Sequence, residues 1–158
     1  MAVVHSSDMG RWPTYRLLGI AARLDERRIN RRLTHLGLTK GSLDALESIA
    51  ELEPAKVSDL ATLLCVSQQS LGKVLRRLQN LGFLTKERGG DGRTTSIQLT
   101  QRGRTVLVTA EDLVDGLTES RTDTDTGFRS SLQQHISELR KSGQAPDKNQ
   151  GPGIHRPH

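Results

Sequence analysis

Residues 57–82 read VSDLATLLCVSQQSLGKVLRRLQNLG, and residues 83–99 continue as FLTKERGGDGRTTSIQL. In the first segment Leu60, Ala61, Leu63 and Leu64 predict a short helix. Lys56 precedes it where a serine or threonine would cap better. Cys65 and Val66 predict a tight turn. Ser67 then offers a hydroxyl to the open N–H groups of a new first turn. Leu71, Val74, Leu75, Leu78 and Leu81 repeat at helical spacing behind it, and Gly82 supplies the left-handed stop. From Phe83 the period changes to alternation. Phe83–Arg88 and Thr94–Leu99 predict two strands around the glycine-rich tip 89–93. Helix, turn, capped helix and hairpin in that order predict a helix-turn-helix followed by a wing.

The same signals extend outward. Thr39 caps a helix whose apolar face is Leu43, Leu46, Ile49, Ala50 and Leu52, and Pro54 ends it. Further upstream, Leu17, Ile20, Ala21, Leu24 and Arg28 predict an amphipathic helix from Thr14 to about Leu33. Its far end is basic, with Arg27, Arg28, Arg31 and Arg32, and Gly37 stops it. Downstream, Thr100 caps a helix carrying Val106, Leu107, Ala110, Leu113, Val114 and Leu117. A last helix follows the Thr/Asp stretch 121–126 and carries Phe128, Leu132, Ile136 and Leu139. The expected fold is mainly α with a small β-hairpin wing. Residues 1–13 are expected as a flexible arm and 142–158 as a disordered tail. Between them lies one domain, 14–141, with the winged helix-turn-helix at about 39–100. Helices at about 14–33 and 101–141 are expected to dimerise.

Composition supports that division. The 158 residues are 34% hydrophobic and 3% aromatic, lean for a free-standing monomer. Apolar stripes on the terminal segments are most easily buried across two chains. The net charge of +5 is localised. Residues 1–55 carry 8 basic and 7 acidic side chains, 56–104 carry 9 and 3, and 105–158 carry 6 and 8. The excess positive charge therefore lies in the middle third, as a phosphate-binding surface requires. No acidic residue occurs from Val66 to Lys86.

A helix-turn-helix reads DNA by presenting the N-terminal residues of its second helix to the major groove. That helix carries Ser67, Gln68, Gln69, Ser70, Lys73, Arg76 and Arg77 opposite its leucines. Glutamine can pair bidentately with adenine, and lysine and arginine with guanine or phosphate. Gln68, Gln69, Ser70 and Lys73 are the expected base readers. Arg76, Arg77, Arg102 and Arg104 are the expected phosphate contacts, and Arg88 and Arg93 are further basic candidates on the wing. The apolar core of a protein–protein interface is depleted of charge, which argues against reading this surface as a protein-docking module.

At this point the run from Val57 to Leu107 resembles the core of the MarR family of bacterial regulators. The shared features are Leu38-Thr39, Leu60-Ala61, Val66-Ser67, Leu78 with Gly82, Asp91-Gly92-Arg93, and Leu99-Thr100 followed by Gly103-Arg104. The resemblance implies a homodimer joined by the first and last two helices, with the recognition helix in the major groove. It further implies that Arg93 reaches the minor groove and that Asp91 holds it there. A narrow minor groove concentrates negative potential, which suits an arginine. Members usually repress a nearby gene, and a small-molecule effector often releases them from DNA. Three positions depart from the common pattern. Cys65 replaces a glycine, Gly92 a second wing arginine, and Arg76 a frequent acidic residue.

Other chemistry is not expected. No phosphate-cradling glycine loop or nucleophile elbow occurs, so no catalytic residue and no cofactor are assigned. His5, His35, His135, His155 and His158 form no metal set, the terminal pair excepted, and that pair is read as solvated. Cys65 is expected as a small turn residue packed in the core, not as an oxidant sensor. No stretch of about 18 apolar residues is present, and the N-terminus lacks a secretory pattern. A cytoplasmic protein follows as the expectation.

Overall fold

The computed structural model describes residues 9–90, 92–118 and 126–143. The elements run α1 (Thr14–Leu33), a 3-10 turn (Thr34–Leu36), α2 (Lys40–Leu52), α3 (Val57–Leu64), α4 (Gln68–Asn80), β1 (Leu84–Arg88), β2 (Thr95–Leu99), α5 (Gln101–Thr118) and α6 (Thr126–Gly143). Asp91, expected to hold Arg93, lies outside the described residues, as do most of the tail 142–158 and of the arm 1–13. Met9–Pro13 is a turn in which the Trp12 N–H donates to the Met9 carbonyl at 3.1 Å. The Arg16 guanidinium lies 4.0 Å from the centre of the Trp12 ring.

The chain divides into a unit ending at Leu117 and a second beginning at Thr118. In the first unit the core is aliphatic apart from Phe83. Leu33, Leu46, Ile49, Leu60, Leu75, Leu78, Leu84 and Ile97 are its largest fully buried side chains. Each buried leucine or isoleucine contributes ~1.5–3 kcal/mol, and they come from every element between α1 and β2. Helix α2 is the hub, touching α1, α3, α4 and β2. Its start is fixed twice: Thr39 Oγ1 accepts from the Ser42 N–H at 3.2 Å, and Asn30 Oδ1 of α1 accepts from the Lys40 N–H at 2.6 Å. Its apolar face is narrower than the sequence predicts, because Ala50 is exposed and Leu52 is 40% exposed.

Three helix ends share one closing geometry. At Gly37, Cys65 and Gly82 the chain enters the left-handed region, with φ of 70°, 54° and 76°. In each case two N–H groups reach back to orphan carbonyls. Gly82 and Phe83 donate to Gln79 and Leu78 at 3.0 Å each, and Cys65 and Val66 to Thr62 and Ala61 at 3.3 and 3.0 Å. This double return satisfies the carbonyls that a helix end leaves open. It also corrects the expectation for Cys65, which is exposed, not packed in the core. Its Sγ stays at the helix end, donating to the Thr62 carbonyl at 3.7 Å, on the solvent side.

The hairpin pairs antiparallel in the register Leu84 with Leu99, Lys86 with Ile97, and Arg88 with Thr95. Both strands begin one residue later than their sequence limits, β1 because the Phe83 N–H closes α4. The sheet gains a third, one-residue edge. Ala55, just after α2, exchanges two hydrogen bonds with Ile97, at 3.0 and 2.8 Å. Thr100 caps α5 through the Gly103 N–H at 3.0 Å. Gly103 itself sits against β1's approach, where an added Cβ would lie 1.9 Å from the Phe83 carbonyl oxygen.

In the second unit α6 carries Phe128, Ile136 and Leu139, which are 58%, 43% and 58% exposed. In the first, Leu24 of α1 and Val108 of α5 are each 57% exposed. Among the described residues no helix is long and apolar enough to cross a membrane.

Candidate nucleic-acid interface

Helix α4 begins where the sequence places it. Ser67 Oγ accepts from the Ser70 N–H at 3.1 Å and lies 2.9 Å from Ser70 Oγ. Both hydroxyls are therefore engaged in starting the helix, although both residues remain exposed. Behind the cap, Leu71, Leu75 and Leu78 are buried. At 3.6 residues per turn, Gln69, Ser70, Lys73, Arg76 and Arg77 fall within an arc of about 120° on the opposite side. Gln68 flanks that arc on the side of Leu75. All six are exposed. The tertiary core thus fixes which face is free, and the free face is uniformly polar or cationic. Gly72 leaves open space around its backbone, with nothing within 4 Å of an added Cβ.

The cations differ in how they are held. Arg77, in the last turn, donates from Nη2 to the Gly37 carbonyl at 3.1 Å, which ties α4 to the link between α1 and α2. Arg102 stacks over Phe83 with its guanidinium 5.4 Å from the ring centre. It stands between the end of α4 and the root of the hairpin. Arg104 is ion-paired: its Nη2 lies 2.6 Å from Oε2 of Glu53. An arginine committed to a carboxylate has less to offer a phosphate. Arg88 closes β1, and Arg93 follows Gly92, whose φ of 65° turns the tip. Both are exposed. The structure therefore brings Gln69, Ser70, Lys73, Arg76 and Arg77 together on one helix face, leaves Ser67 and Gln68 exposed at its N-terminus, and puts Arg88 and Arg93 on the adjoining hairpin. Arg104 is drawn towards α2.

Glu53 is the functional candidate that sequence reading missed. One of its carboxylate oxygens accepts from the Leu99 N–H, and the other holds Arg104. Nothing in the residues around position 53 announces partners 46 and 51 positions away.

A second electrostatic feature lies on α2. Glu47 titrates above the ordinary glutamate value of 4.5. Partial desolvation is the largest cause, and repulsion from Asp44, Glu111 and Glu51 adds to it, while Lys40 opposes. Lys40 is already engaged by Asp44, with Nζ to Oδ2 at 2.6 Å. No group of three or more histidine, cysteine or acidic side chains capable of holding a metal occurs among the described residues.

A capped, basic-faced helix beside a two-stranded hairpin, on a three-helix core, defines a winged helix-turn-helix protein. Residues 38–95 match the MarR family. Within that span the chain is similar to the MarR family, on a winged helix-turn-helix fold. Among solved structures it is similar to a MarR protein with a TM-score of 0.73 and 26% identity, covering 91% of this chain and 100% of that one. It is similar to the transcriptional regulator MosR of M. tuberculosis, solved in complex with DNA (TM-score 0.70, 25% identity, 84% and 96% coverage). S. aureus MepR, also solved with DNA, shares the fold at 12% identity, with a TM-score of 0.71 and 84% and 97% coverage. No curated protein matches the chain.

Proposed function

We propose that the chain is a sequence-specific, double-stranded DNA-binding transcriptional repressor that acts as a homodimer. The observation that carries this reading is the solvent face of α4. It is a run of glutamine, serine, lysine and arginine with no acidic side chain, on a helix whose N-terminus is capped and whose opposite face is locked into the core. Gln68, Gln69 and Lys73 read base edges in the major groove, and Ser70 adds a polar edge while holding the cap. Arg76, Arg77 and Arg102 meet phosphates. Arg88 and Arg93 extend the contact along the wing, with Arg93 in the minor groove and Asp91 steadying it. Arg104 is the weakest of these assignments, because Glu53 holds it.

The dimer is supported by the apolar residues left exposed on α1, α5 and α6. Two-fold symmetry then calls for a pseudo-palindromic operator with half-sites ~34 Å apart. Release by a small-molecule effector and a cytoplasmic setting belong to the same reading.

Fluorescence anisotropy with DNA from upstream of the chain's own gene, a scrambled duplex and a salt series tests it. The expected result is preference for the native duplex, with affinity falling steeply as salt rises. Arg93→Ala is expected to lose about tenfold in affinity, within the range for one groove contact. Equal, salt-independent behaviour of the two duplexes, or no binding at low salt, would sink the proposal.

A further inference from the structure

We propose that Glu53 is a positioning residue for the wing: it fixes the angle at which the hairpin leaves the body, and so where Arg93 arrives. The inference rests on the DNA-binding reading above. Beyond Arg88 and Thr95 the hairpin closes through the Gly89 N–H, which donates to the Thr94 carbonyl at 2.7 Å, and its tip projects from the root. The root is held from α2 at neighbouring points. Glu53, at the end of α2, accepts from the Leu99 N–H, and Ala55 two residues on exchanges both backbone hydrogen bonds with Ile97. The second carboxylate oxygen of Glu53 holds Arg104 in the first turns of α5 at 2.6 Å. One side chain thereby joins the end of α2, the base of β2 and the start of α5. It is mostly shielded, with 18% of its side chain exposed.

Leverage makes this root matter. Leu99 closes β2 and Arg93 lies two residues before that strand begins, so six residues separate them, a span of at most ~20 Å at about 3.3 Å per residue. A tilt of about 5° at the root therefore moves the tip by up to about 1.7 Å. A displacement of that size breaks a hydrogen bond whose length must stay near 2.9 Å. The Leu99 N–H also has no strand partner on its outer side. Without the carboxylate it becomes a buried donor left unpaired, and the chain can relieve that only by shifting the strand.

The test compares Glu53→Gln with Glu53→Met, each with and without Arg93→Ala. Glutamine keeps an oxygen for the Leu99 N–H, whereas methionine keeps the stem and removes the acceptor. Arg104 loses its carboxylate in both, so its release cancels in the comparison. Circular-dichroism melts fix a temperature at which every variant is folded, and Glu53→Ala stands in if the methionine variant is not. Affinity for the duplex from upstream of the chain's own gene is read by anisotropy. With Arg93 present, E53M is expected to bind about fivefold more weakly than E53Q, a coupling typical of residues acting through one another. With Arg93→Ala the two are expected to bind alike. Equal affinities with Arg93 present would overturn the proposal. So would a gap that persists in the Arg93→Ala background, since that is a general structural loss. Failure of the wild-type chain to bind either duplex would instead remove the DNA-binding reading, and this inference with it.

Discussion

Cys65 and Gly103 show how single residues are constrained by backbone geometry. Cys65 occupies the left-handed region at φ 54°, where its two counterparts at helix ends, Gly37 and Gly82, are glycines. A side chain there costs ~1–2 kcal/mol, partly offset by the greater unfolded-state freedom of glycine. Cys65→Gly is therefore expected to stabilise the chain by about 0.5–1 kcal/mol, read as a raised urea midpoint at unchanged slope. Gly103 is constrained by contact. An added Cβ would lie 1.9 Å from the Phe83 carbonyl oxygen. Both partners are backbone, so neither can swing aside. Gly103→Ala is expected to destabilise by about 3 kcal/mol or more, because α5 must lift from the root of the hairpin.

Among the elements, α2 combines two roles. Its apolar side organises the core, and its end grips the wing. It also holds Asp44, Glu47 and Glu51 on its surface, close to Glu111 of α5. Because Glu47 binds its proton more tightly in the folded chain than in the unfolded one, it costs stability when ionised. That cost is absent below the unfolded value near 4.5 and grows as pH rises through the raised folded value. Glu47→Gln is thus expected to raise the melting temperature at pH 7, with the advantage shrinking as pH approaches 4.5. A melting temperature at pH 7 equal to or below that of the wild type would count against this account. In α4 the only like-charge crowding is on its exposed face, where Lys73 lies one turn from Arg76 and Arg77. Cap, core face and left-handed stop all agree, and local agreement of this kind favours a single structure.

Over the whole molecule the imbalance is between a closed core and open terminal helices. Leu24, Val108, Phe128, Ile136 and Leu139 are all more than two-fifths exposed. A homodimer that covers them would bury an interface of about 2,000 Å² or more, as obligate dimers do. Sedimentation equilibrium is expected to give twice the mass of 17.4 kDa. The double variant Leu24→Glu with Ile136→Glu is expected to sediment as a monomer. If its mass matches the wild type, the terminal helices are not the interface. Loss of the dimer should also weaken DNA binding sharply, because two linked reading helices gain from effective concentration.

The elements themselves were legible in the sequence because their causes are local. Serine and threonine caps at Thr39, Ser67 and Thr100 act within about four residues. Glycine stops at Gly37 and Gly82 do the same, as do leucine spacing and the change of period after Gly82. So were the polar face of α4 and the positive middle third, since both follow from periodicity and counting. Only the tertiary structure could show that Arg104 is already paired, that Gly103 packs against Phe83, and that Cys65 faces solvent. It alone placed Glu53 between Leu99 and Arg104, across 46 and 51 residues. These are long-range pairings. They depend on how α2, β2 and α5 converge, and no local pattern of residues records that convergence.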